Sequence, residues 1–408
     1  MSGGRTGKEN RLWLSVLAAT VLLQAVSAFL TRVAPTIAPY LMDEVGLPVS
    51  AIGHLSAIGT VGSIVFLLIG APMIRRFGSM RILQIGTAVA ALGALMFLVP
   101  HAVAAVLAVL LIGLGYGPSP AAGSEVLQRY SPPDRRSLIF SVKQAGVPVG
   151  GMLAGLMLPP AVLAFGVAGA VASCLVISVV GVALVQPLRA EVDAERSKGE
   201  RIGIGSIFAA GNLLAPFRAV TASPHIAVVA LAGTCFAAGQ GIWFAYLVTF
   251  MVLKLDYSLG FAGTVFAVMQ ATSIFGRIAL GWLADRVGSG AVVLAVAGLA
   301  SALCSIGLAM AQKSWPVATM FALSGLAGVA VSSWNGVQVA EVVRLSPQAH
   351  IHTTVAGATM VIFLGYVAGP ILFAILIGAS GRYDLGFLAV AAVCTAGAVL
   401  ALSARRSL

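Results

Sequence analysis

Charged residues are scarce in this sequence. Only 9% of its 408 residues are Asp, Glu, Lys or Arg, whereas 59% are hydrophobic and the mean hydropathy is +1.02. An ordinary soluble domain carries roughly 25% charged residues, because its surface has to be covered with polar groups. The composition therefore excludes a soluble globular protein and indicates a chain whose apolar side chains face lipid.

Cysteines and catalytic motifs are scarce too. The four cysteines lie far apart within apolar runs, without metal-ligand spacing, and we expect small buried side chains there. No Walker motif, Rossmann fingerprint or nucleophile triad is visible. The net charge of +11 is spread over short loops between apolar segments. We therefore expect no enzyme activity, no metal or other cofactor, and no nucleic-acid partner.

Apolar runs of membrane-spanning length, about 20 to 25 residues each, fill most of the chain. We predict an all-α membrane protein with twelve transmembrane helices in two six-helix pseudo-repeat bundles. The polar stretch 187–223 predicts a linker between a bundle at 1–186 and a bundle at 224–408. The predicted spans are 12–40, 49–72, 80–99, 103–129, 137–158, 162–186, 224–252, 258–284, 289–311, 315–344, 352–378 and 384–404.

The basic residues predict the orientation of the chain. Most of the 24 Lys and Arg residues fall on the side of the two termini and the linker. Only Lys254, Lys313 and Arg382 fall clearly on the opposite side. Because cytoplasmic loops carry the excess of Lys and Arg, we expect both termini and the linker in the cytoplasm. The expected location is a bacterial-type inner (plasma) membrane, with the protein a monomer in the lipid bilayer.

The two halves repeat each other in sequence. MIRRFG (73–78), between spans 2 and 3, corresponds to LADRVG (283–288), between spans 8 and 9. SEVLQRYSPP (124–133), which closes span 4, corresponds to AEVVRLSPQ (340–348), which closes span 10. Parallel repeats of this kind place a substrate site near the bilayer midplane, between the halves.

Two motifs carry a family resemblance. GWLADRVG (281–288) resembles the cytoplasmic loop signature of the major facilitator superfamily, G-x-L-x-D-R-x-G. Its first-half counterpart, APMIRRFGSMR (71–81), departs from that signature, with Ala71 at the first glycine and Arg75 at the aspartate. AGVPVGG (145–151) in span 5 is similar to a glycine-proline motif found in part of the superfamily. The resemblance implies a twelve-span transporter.

The same motifs supply candidate gating residues. In the loop signature, the resemblance implies that the aspartate caps a helix terminus or pairs across the halves, and that the glycines permit a tight turn. In span 5, glycine and proline allow close helix packing or a bend. The predicted gating residues are Asp285, Arg286, Gly281, Gly288, Gly146, Pro148 and Gly150.

Three cations fall inside predicted spans. Lys143 lies about two turns into span 5 and Arg277 about two turns before the end of span 8. Arg32 lies two-thirds through span 1, which leaves it either in a central cavity or near the outer surface. A cation at the bilayer centre costs on the order of 3 kcal/mol, so such residues face a partner or a watery cavity.

Acidic partners at the same depth are missing from the sequence. Glu125 and Glu341 lie near the cytoplasmic ends of spans 4 and 10, and each has a basic neighbour at helical spacing, Arg129 and Arg344. Unpaired intramembrane cations predict a site of positive potential, for which an anionic substrate is the natural counter-ion. A guanidinium grips a carboxylate through two hydrogen bonds, and a lysine acts as a point charge.

The surroundings of Arg277, GRIALGWLADRVG (276–288), resemble span 8 of the monocarboxylate and oxalate/formate branches of the superfamily. There an arginine four residues before the signature glycine binds the substrate carboxylate, and the resemblance assigns that role to Arg277. The oxalate/formate branch also uses a lysine in span 11, which this sequence lacks. Lys143 would then supply a second charge from span 5.

The sequence thus predicts a secondary active or facilitative transporter of a small organic anion, a monocarboxylate, that works by alternating access. A coupled proton and a counter-anion both remain open. An exporter of drugs or other hydrophobic small molecules is the alternative, which the span 5 motif favours. The predicted substrate-binding residues are Arg277, Lys143, Arg32, Gln144, Tyr246, Trp243, Asn335 and Gln270.

Overall fold

The computed structural model describes residues 7–132, 136–194, 196–197, 199, 217–347 and 351–406. Within these ranges the regular secondary structure is helical, without a strand. Residues 200–216 of the predicted linker lie outside the described residues. The all-α prediction is confirmed.

Eleven helical segments in the described part of the chain are long and apolar enough to cross a membrane. The fifth is 54 residues long, about twice what a bilayer requires. The non-helical residues Phe165 and Gly166 divide it into spans 5 and 6, so the described chain holds twelve spans. The segments are Leu12–Thr31, Val49–Ile69, Ser79–Leu98, Ala102–Tyr130, Ile139–Val192, Pro224–Leu253, Leu259–Val287, Gly290–Ala309, Val317–Leu345, Thr353–Ser380 and Tyr383–Ala404.

The predicted boundary between spans 5 and 6, at 159–161, is wrong. Pro159 and Pro160 lie inside the helix, and the reversal comes later, at Gly166. Gly166 has φ +64° and ψ −165°, a conformation that side chains larger than hydrogen rarely adopt, so the glycine determines where the chain turns. Span 6 also continues to Val192, beyond the predicted end at 186.

Several spans are interrupted near their middle. A helix break frees backbone groups, and at membrane depth this is tolerated only inside protein or along a cavity. The breaks therefore indicate where the interior of the bundle is polar. The helical pieces are Gly7–Thr31, Val33–Thr36 and Ala38–Glu44 in span 1, Ala102–Tyr116 and Pro118–Tyr130 in span 4, Arg136–Gln144 and Gly146–Val192 in spans 5 and 6, and Val317–Ser332 and Asn335–Leu345 in span 10.

The buried core differs between the two ends of the bundle. We call the end where span 6 stops and span 7 begins the linker end, and the opposite end the far end. At the far end one hydrophobic cluster joins both halves, for example Phe29 and Leu158 with Phe266. At the linker end each half has clusters of its own, around Leu83 in the first half and Phe236 in the second. The halves therefore share a core only at the far end.

The outer surface of the bundle is apolar, as lipid contact requires. On span 6, Val176, Val179, Val180 and Leu184 recur at helical spacing along one face and are more than half exposed. In water such a face would be costly, whereas against acyl chains it needs no cover. The chain is a multi-pass membrane protein.

Candidate functional site

Arg32 stands at the break in span 1, between the helices that end at Thr31 and begin at Val33. Its guanidinium carbon lies 4.1 Å from the centroid of the Phe244 ring of span 7, a cation–π contact between the two halves. Its Nε is buried and has no hydrogen-bond partner among the described residues. Of the two positions that the sequence allowed, the structure places Arg32 in the interior, between the halves.

Arg277 points inward because of the register of span 8. Phe275 and Ile278 are 72% and 64% exposed and lie on the lipid side of the helix. Gln270 and Ser273, seven and four residues before Arg277, are buried on the opposite side. At 3.6 residues per turn, Arg277 shares the face of these two polar residues. Span 8 therefore carries a polar interior stripe opposite its lipid-facing side.

Arg277 is hydrogen-bonded to main-chain carbonyls of both halves. Its Nη1 donates to the carbonyl of Gln144 in span 5 (3.2 Å), and its Nη2 donates to the carbonyl of Ser332 in span 10 (3.3 Å). Both acceptors are the last residues before helix breaks, where carbonyls lack their usual helical donors. The bond to Gln144 joins the second half to the first.

The two arginines belong to one electrostatic cluster. Arg32, Arg277, Tyr116 of span 4 and Tyr366 of span 11 lie near enough to influence one another electrostatically. In the described part of the chain, neither arginine has a carboxylate within ion-pair distance. Two cations, one from each half, thus lie near each other without an acidic partner among the described residues.

A polar network of the second half orients Tyr366. Its hydroxyl donates to Oε1 of Gln240 in span 7 at 2.7 Å, and Nδ2 of Asn335 lies 3.4 Å from the same hydroxyl. Oδ1 of Asn335 is buried and has no partner within the described ranges. The structure therefore brings Asn335, which the sequence analysis proposed, to the cluster through Tyr366.

Sequence analysis missed Tyr116 and Phe244 as members of the cluster. Tyr116 is the last residue of its helical piece, directly before Gly117 and Pro118. That position is a signal, because a side chain at a helix break inside a bundle tends to line the polar interior. Phe244 gives no such signal, since it is one apolar residue in a long apolar span.

Lys143 lies elsewhere in the first half. Its side chain is 1% exposed, and Nζ donates to the Ser119 carbonyl (2.9 Å) and to Oγ of Ser124 (3.1 Å), both in span 4. Within the described residues it contacts neither arginine. Its role as a second substrate-binding charge stays a prediction, and its contacts are those of a lysine that joins spans 4 and 5.

Trp243 and Tyr246 belong to the far end. Nε1 of Trp243 donates to Oγ of Ser305 (3.0 Å) within the second half. The Tyr246 hydroxyl donates to the carbonyl of Ser50 in span 2 (2.7 Å), so that it joins the two halves. The structure does not bring these two predicted site residues to the arginines.

Two glutamines border the cluster at the interface between spans 5 and 8. Oε1 of Gln144 accepts a hydrogen bond from Nε2 of Gln24 in span 1 at 2.9 Å. The Gln270 side chain occupies the space that a Cβ on Gly151 of span 5 would need, and its Nε2 has no partner in the described chain. Both glutamines therefore lie where span 5 of one half meets span 8 of the other.

The glycines of span 5 serve close packing, as predicted. A Cβ on Gly146 would lie 2.9 Å from the Val21 carbonyl, and one on Gly150 would lie 2.8 Å from the Phe29 amide. Span 5 therefore approaches span 1 of its own half more closely than larger residues permit. The gating role of these glycines and of Pro148 stays a prediction.

The second-half loop signature is largely exposed in the structure. Gly288 ends span 8 in the left-handed conformation (φ +69°), which fits the predicted tight turn. Asp285 is exposed and makes no hydrogen bond or ion pair with the residues that the structure describes. The Arg286 guanidinium lies 5.2 Å from the Trp282 ring centroid. The expected helix cap or cross-half pair of Asp285 is not formed here, and a Cβ on Gly281 would meet open space.

The first-half loop is held by Asp193, a residue that the sequence predicts only as part of a loop. The carboxylate of Asp193 is buried and accepts hydrogen bonds from the backbone N–H of Met80 (3.0 Å) and of Arg81 (2.9 Å). It therefore caps the first turn of span 3. Burial raises the pKa of Asp193 above its ordinary value, against the opposing effect of the two N–H donors.

The fold resembles solved transporter structures. A peptide transporter POT in complex with sulfate aligns with a TM-score of 0.75 and 16% identity, over 97% of this chain and 94% of that chain. A bacterial homolog of the human lysosomal transporter Spinster, in an inward-facing and unoccupied conformation, aligns with a TM-score of 0.70 and 17% identity, over 98% and 96%. At these identities the likeness concerns the fold alone.

Curated proteins are similar at low identity. An uncharacterised MFS-type transporter of Mycobacterium tuberculosis (strain ATCC 25618 / H37Rv) is 23% identical over 291 residues, which are 71% of this chain. The match spans 62% of that relative's own length. A hexuronate transporter of Bacillus subtilis (strain 168) is 25% identical over 147 residues, 36% of this chain and 35% of that protein.

A family model matches most of the chain. The model of the Major Facilitator Superfamily covers residues 20–353, from span 1 into span 11. That region contains both arginines, both loop signatures and the breaks in spans 1, 4, 5 and 10. The chain belongs to the Major Facilitator Superfamily.

Proposed function

We propose that this transporter carries a small organic anion, a monocarboxylate, and that Arg32 and Arg277 bind its carboxylate. The observation that carries the proposal is the cluster of two arginines, one from each half, without an acidic partner among the described residues. A guanidinium and a carboxylate form charge-assisted hydrogen bonds in a matching fork geometry. An anion is the occupant that offsets both charges.

The surroundings of the cluster fit a small carboxylate with an apolar or hydroxylated body. The hydroxyl groups of Tyr116 and Tyr366 and the free Oδ1 of Asn335 offer directional hydrogen bonds. The Phe244 ring, beneath the Arg32 guanidinium, supplies an apolar surface. Such sites commonly combine a largely apolar wall with a few polar groups.

The anion would also draw the two halves together. Arg32 and Arg277 repel each other across the interface, and this repulsion is strongest where water is excluded. A carboxylate between them replaces that repulsion with two attractions, one to each half. Substrate binding would thus lower the free energy of the closed arrangement, as alternating access about a central site requires.

We infer an inward-facing state for this structure from the proposed orientation. The bias of Lys and Arg supports an orientation with the linker and both termini in the cytoplasm, in a bacterial-type inner membrane. The far end, with its single core, is then the closed outer side, and the linker end is the inner side. In this proposal the moving bodies are 1–186 and 224–408, joined by 187–223.

One relative supports the anion class. The hexuronate transporter of Bacillus subtilis is named for a substrate that carries one carboxylate.

The coupling of transport to an ion gradient is a separate part of the proposal. The described spans show no acidic residue beside the arginines that could carry a coupled proton. The substrate carboxylate would therefore enter together with a proton or exchange with a counter-anion, and that coupled movement would drive the cycle.

The proposal is tested by uptake into proteoliposomes. Radiolabelled formate, acetate, pyruvate and glucuronate would be compared with a hydrophobic cation, for the wild type and for Arg277→Gln. We expect uptake of at least one carboxylate by the wild type and its loss in Arg277→Gln. Arg382→Gln, which removes an exposed arginine paired with Asp384, is the matched control and should transport normally.

The same assay tests the alternative, an exporter of hydrophobic compounds. In that case the hydrophobic cation would move against its gradient while the carboxylates would not. Arg277→Gln would then transport as well as the wild type, since a guanidinium contributes nothing to binding a cation. This result would overturn the anion proposal.

A further inference from the structure

A proline in span 5 leaves one main-chain carbonyl without its helical partner. In a regular α-helix the Gln144 carbonyl would accept a hydrogen bond from the N–H of residue 148. That residue is Pro148, which has no N–H. The neighbouring bonds are present: Ala145 N donates to the Ser141 carbonyl and Val149 N to the Ala145 carbonyl, both at 3.1 Å. The sequence itself therefore frees the Gln144 carbonyl.

Arg277 of the other half fills this gap. Its Nη1 donates to the Gln144 carbonyl and its Nη2 to the Ser332 carbonyl, at 3.2 and 3.3 Å. Its Nε is buried and has no partner among the described residues. Both terminal nitrogens, which form the fork that grips a carboxylate end-on, are thus already engaged with main-chain carbonyls.

A carboxylate that grips Arg277 through both terminal nitrogens has to compete with these carbonyls. The Gln144 carbonyl is a neutral acceptor, whereas a carboxylate is charged and forms hydrogen bonds about twice as strong. The anion therefore displaces the carbonyl, but its net gain is reduced by the bond that is lost. In the empty site, the Gln144 carbonyl takes the place of a substrate oxygen.

We propose that Pro148 is a positioning residue of the anion site, because it frees a carbonyl that holds Arg277 across the two halves until an anion replaces it. The inference rests on the proposed role of Arg277 in anion binding. It connects two features that the sequence analysis treated separately, the glycine-proline motif of span 5 and the arginine of span 8. In this account the motif lowers the apparent affinity for the anion and orders Arg277 in the empty transporter.

Another proline of the same helix offers a matched comparison. Pro160 also lies inside the helix and likewise leaves the carbonyl four residues earlier, that of Leu156, without an N–H donor. It is exposed on the lipid side, and no arginine bonds to Leu156 in the described part of the structure. Replacing Pro160 restores a helical bond without touching the arginine cluster.

The test restores the missing N–H at residue 148. Pro148→Ala and Pro148→Ser both give the Gln144 carbonyl a helical donor, and so remove it from competition for Arg277. Binding of formate, acetate, pyruvate and glucuronate to the full-length protein would be titrated by thermal shift. We expect the apparent Kd to fall roughly threefold to tenfold in both variants, the net size of one ordinary hydrogen bond. Pro160→Ala should bind as the wild type does.

A second measurement requires no ligand. The apparent melting temperatures of the unloaded wild type, Pro148→Ala, Arg277→Gln and the double variant form a double-mutant cycle. We expect the two substitutions to be non-additive, because each removes the same Arg277–Gln144 hydrogen bond. A merely structural proline would give additive effects, and additivity would overturn the inference.

The outcomes separate this inference from the proposed function. If the wild type binds none of the four anions, the proposed function fails, and the ligand-free cycle still decides whether Pro148 acts through Arg277. If the wild type binds an anion and Arg277→Gln does not, the proposed function stands. An unchanged or weaker affinity in Pro148→Ala would then overturn the role of Pro148 alone.

Discussion

The loops that join spans 2 and 3 and spans 8 and 9 are related in sequence, but they make different contacts. The first, at 73–78, has Arg75 where the signature has aspartate. Asp193, directly after span 6, instead accepts hydrogen bonds from the backbone N–H groups of Met80 and Arg81. The backbone N–H of Ser197 also donates to the Arg75 carbonyl at 2.9 Å. The second, at 283–288, keeps Asp285, which is exposed and has no partner in the described residues.

The two loops differ in whether their charged residues already have partners within their own bundle. In the first half, a helix cap supplied from the start of the linker holds the loop within its own bundle. In the second half, the charge of Asp285 is free at the linker end, where the halves have separate cores. We infer that the intact signature serves a contact that forms when the linker end closes, whereas the degenerate one has become a fixed part of its bundle.

The largest expected effect concerns the charges of the first half. Arg32→Gln should lower the apparent affinity for the anion roughly tenfold to a hundredfold, because one charge-assisted contact is lost. Lys143→Gln should keep the wild-type affinity, since the amide can still donate to the Ser119 carbonyl and Ser124 hydroxyl. Uptake kinetics in proteoliposomes would measure both KM values.

The control for this pair is the amount of folded protein, read by size-exclusion chromatography before reconstitution. If Lys143→Gln loses affinity as severely as Arg32→Gln, Lys143 contacts the substrate after all. The description of the substrate site as one arginine from each half would then be incorrect.

A smaller effect is expected where the two loops differ. Asp193→Ala removes the cap from span 3 and should lower the free energy of unfolding by about 1 to 2 kcal/mol. Asp285→Ala should leave the stability of this state unchanged, because the carboxylate is exposed and unpaired within the described chain. Thermal denaturation in detergent would compare them. Equal destabilisation would remove the distinction drawn between the loops.

The smallest effect is expected for the paired glutamates that end spans 4 and 10. Glu341 is 5% exposed and binds Arg344 at 2.6 Å, whereas Glu125 is 44% exposed and lies 3.4 Å from Arg129. Glu341→Ala should cost about 1 kcal/mol of unfolding free energy, since two hydrogen bonds between a buried carboxylate and a half-exposed arginine are lost. Glu125→Ala should cost less than about 0.5 kcal/mol, as exposed pairs do. The two melting curves would show this order or contradict it.

Much of the fold could be predicted from the sequence. Long apolar runs define spans wherever polar loops separate them, and ten of the twelve spans are distinguished in this way, whereas spans 5 and 6 share one run. The boundary between spans 5 and 6 failed because 159–161 and Gly166 are both turn signals within one apolar run. Only packing decides which of them the chain uses.

The site could be predicted in part. Arg277 was predicted from its position inside span 8 and from the resemblance of its surroundings (276–288), and the structure places it in the interior, hydrogen-bonded to both halves. The partners of Lys143, Trp243 and Tyr246 could not be predicted, because they depend on which helices lie opposite. The cap by Asp193 was missed for a similar reason, since the backbone N–H donors that it binds lie more than a hundred residues earlier.

The most direct test of the central claim is the anion-dependent thermal stability of the purified protein. The wild type, Arg32→Gln and Arg277→Gln would each be heated with and without a saturating monocarboxylate. A ligand at a hundred times its Kd stabilises the folded state by about 2.7 kcal/mol through mass action. The account predicts a clear rise in melting temperature for the wild type and little or none for either variant. An equal rise in all three proteins would show that the anion binds elsewhere and would contradict the two-arginine site.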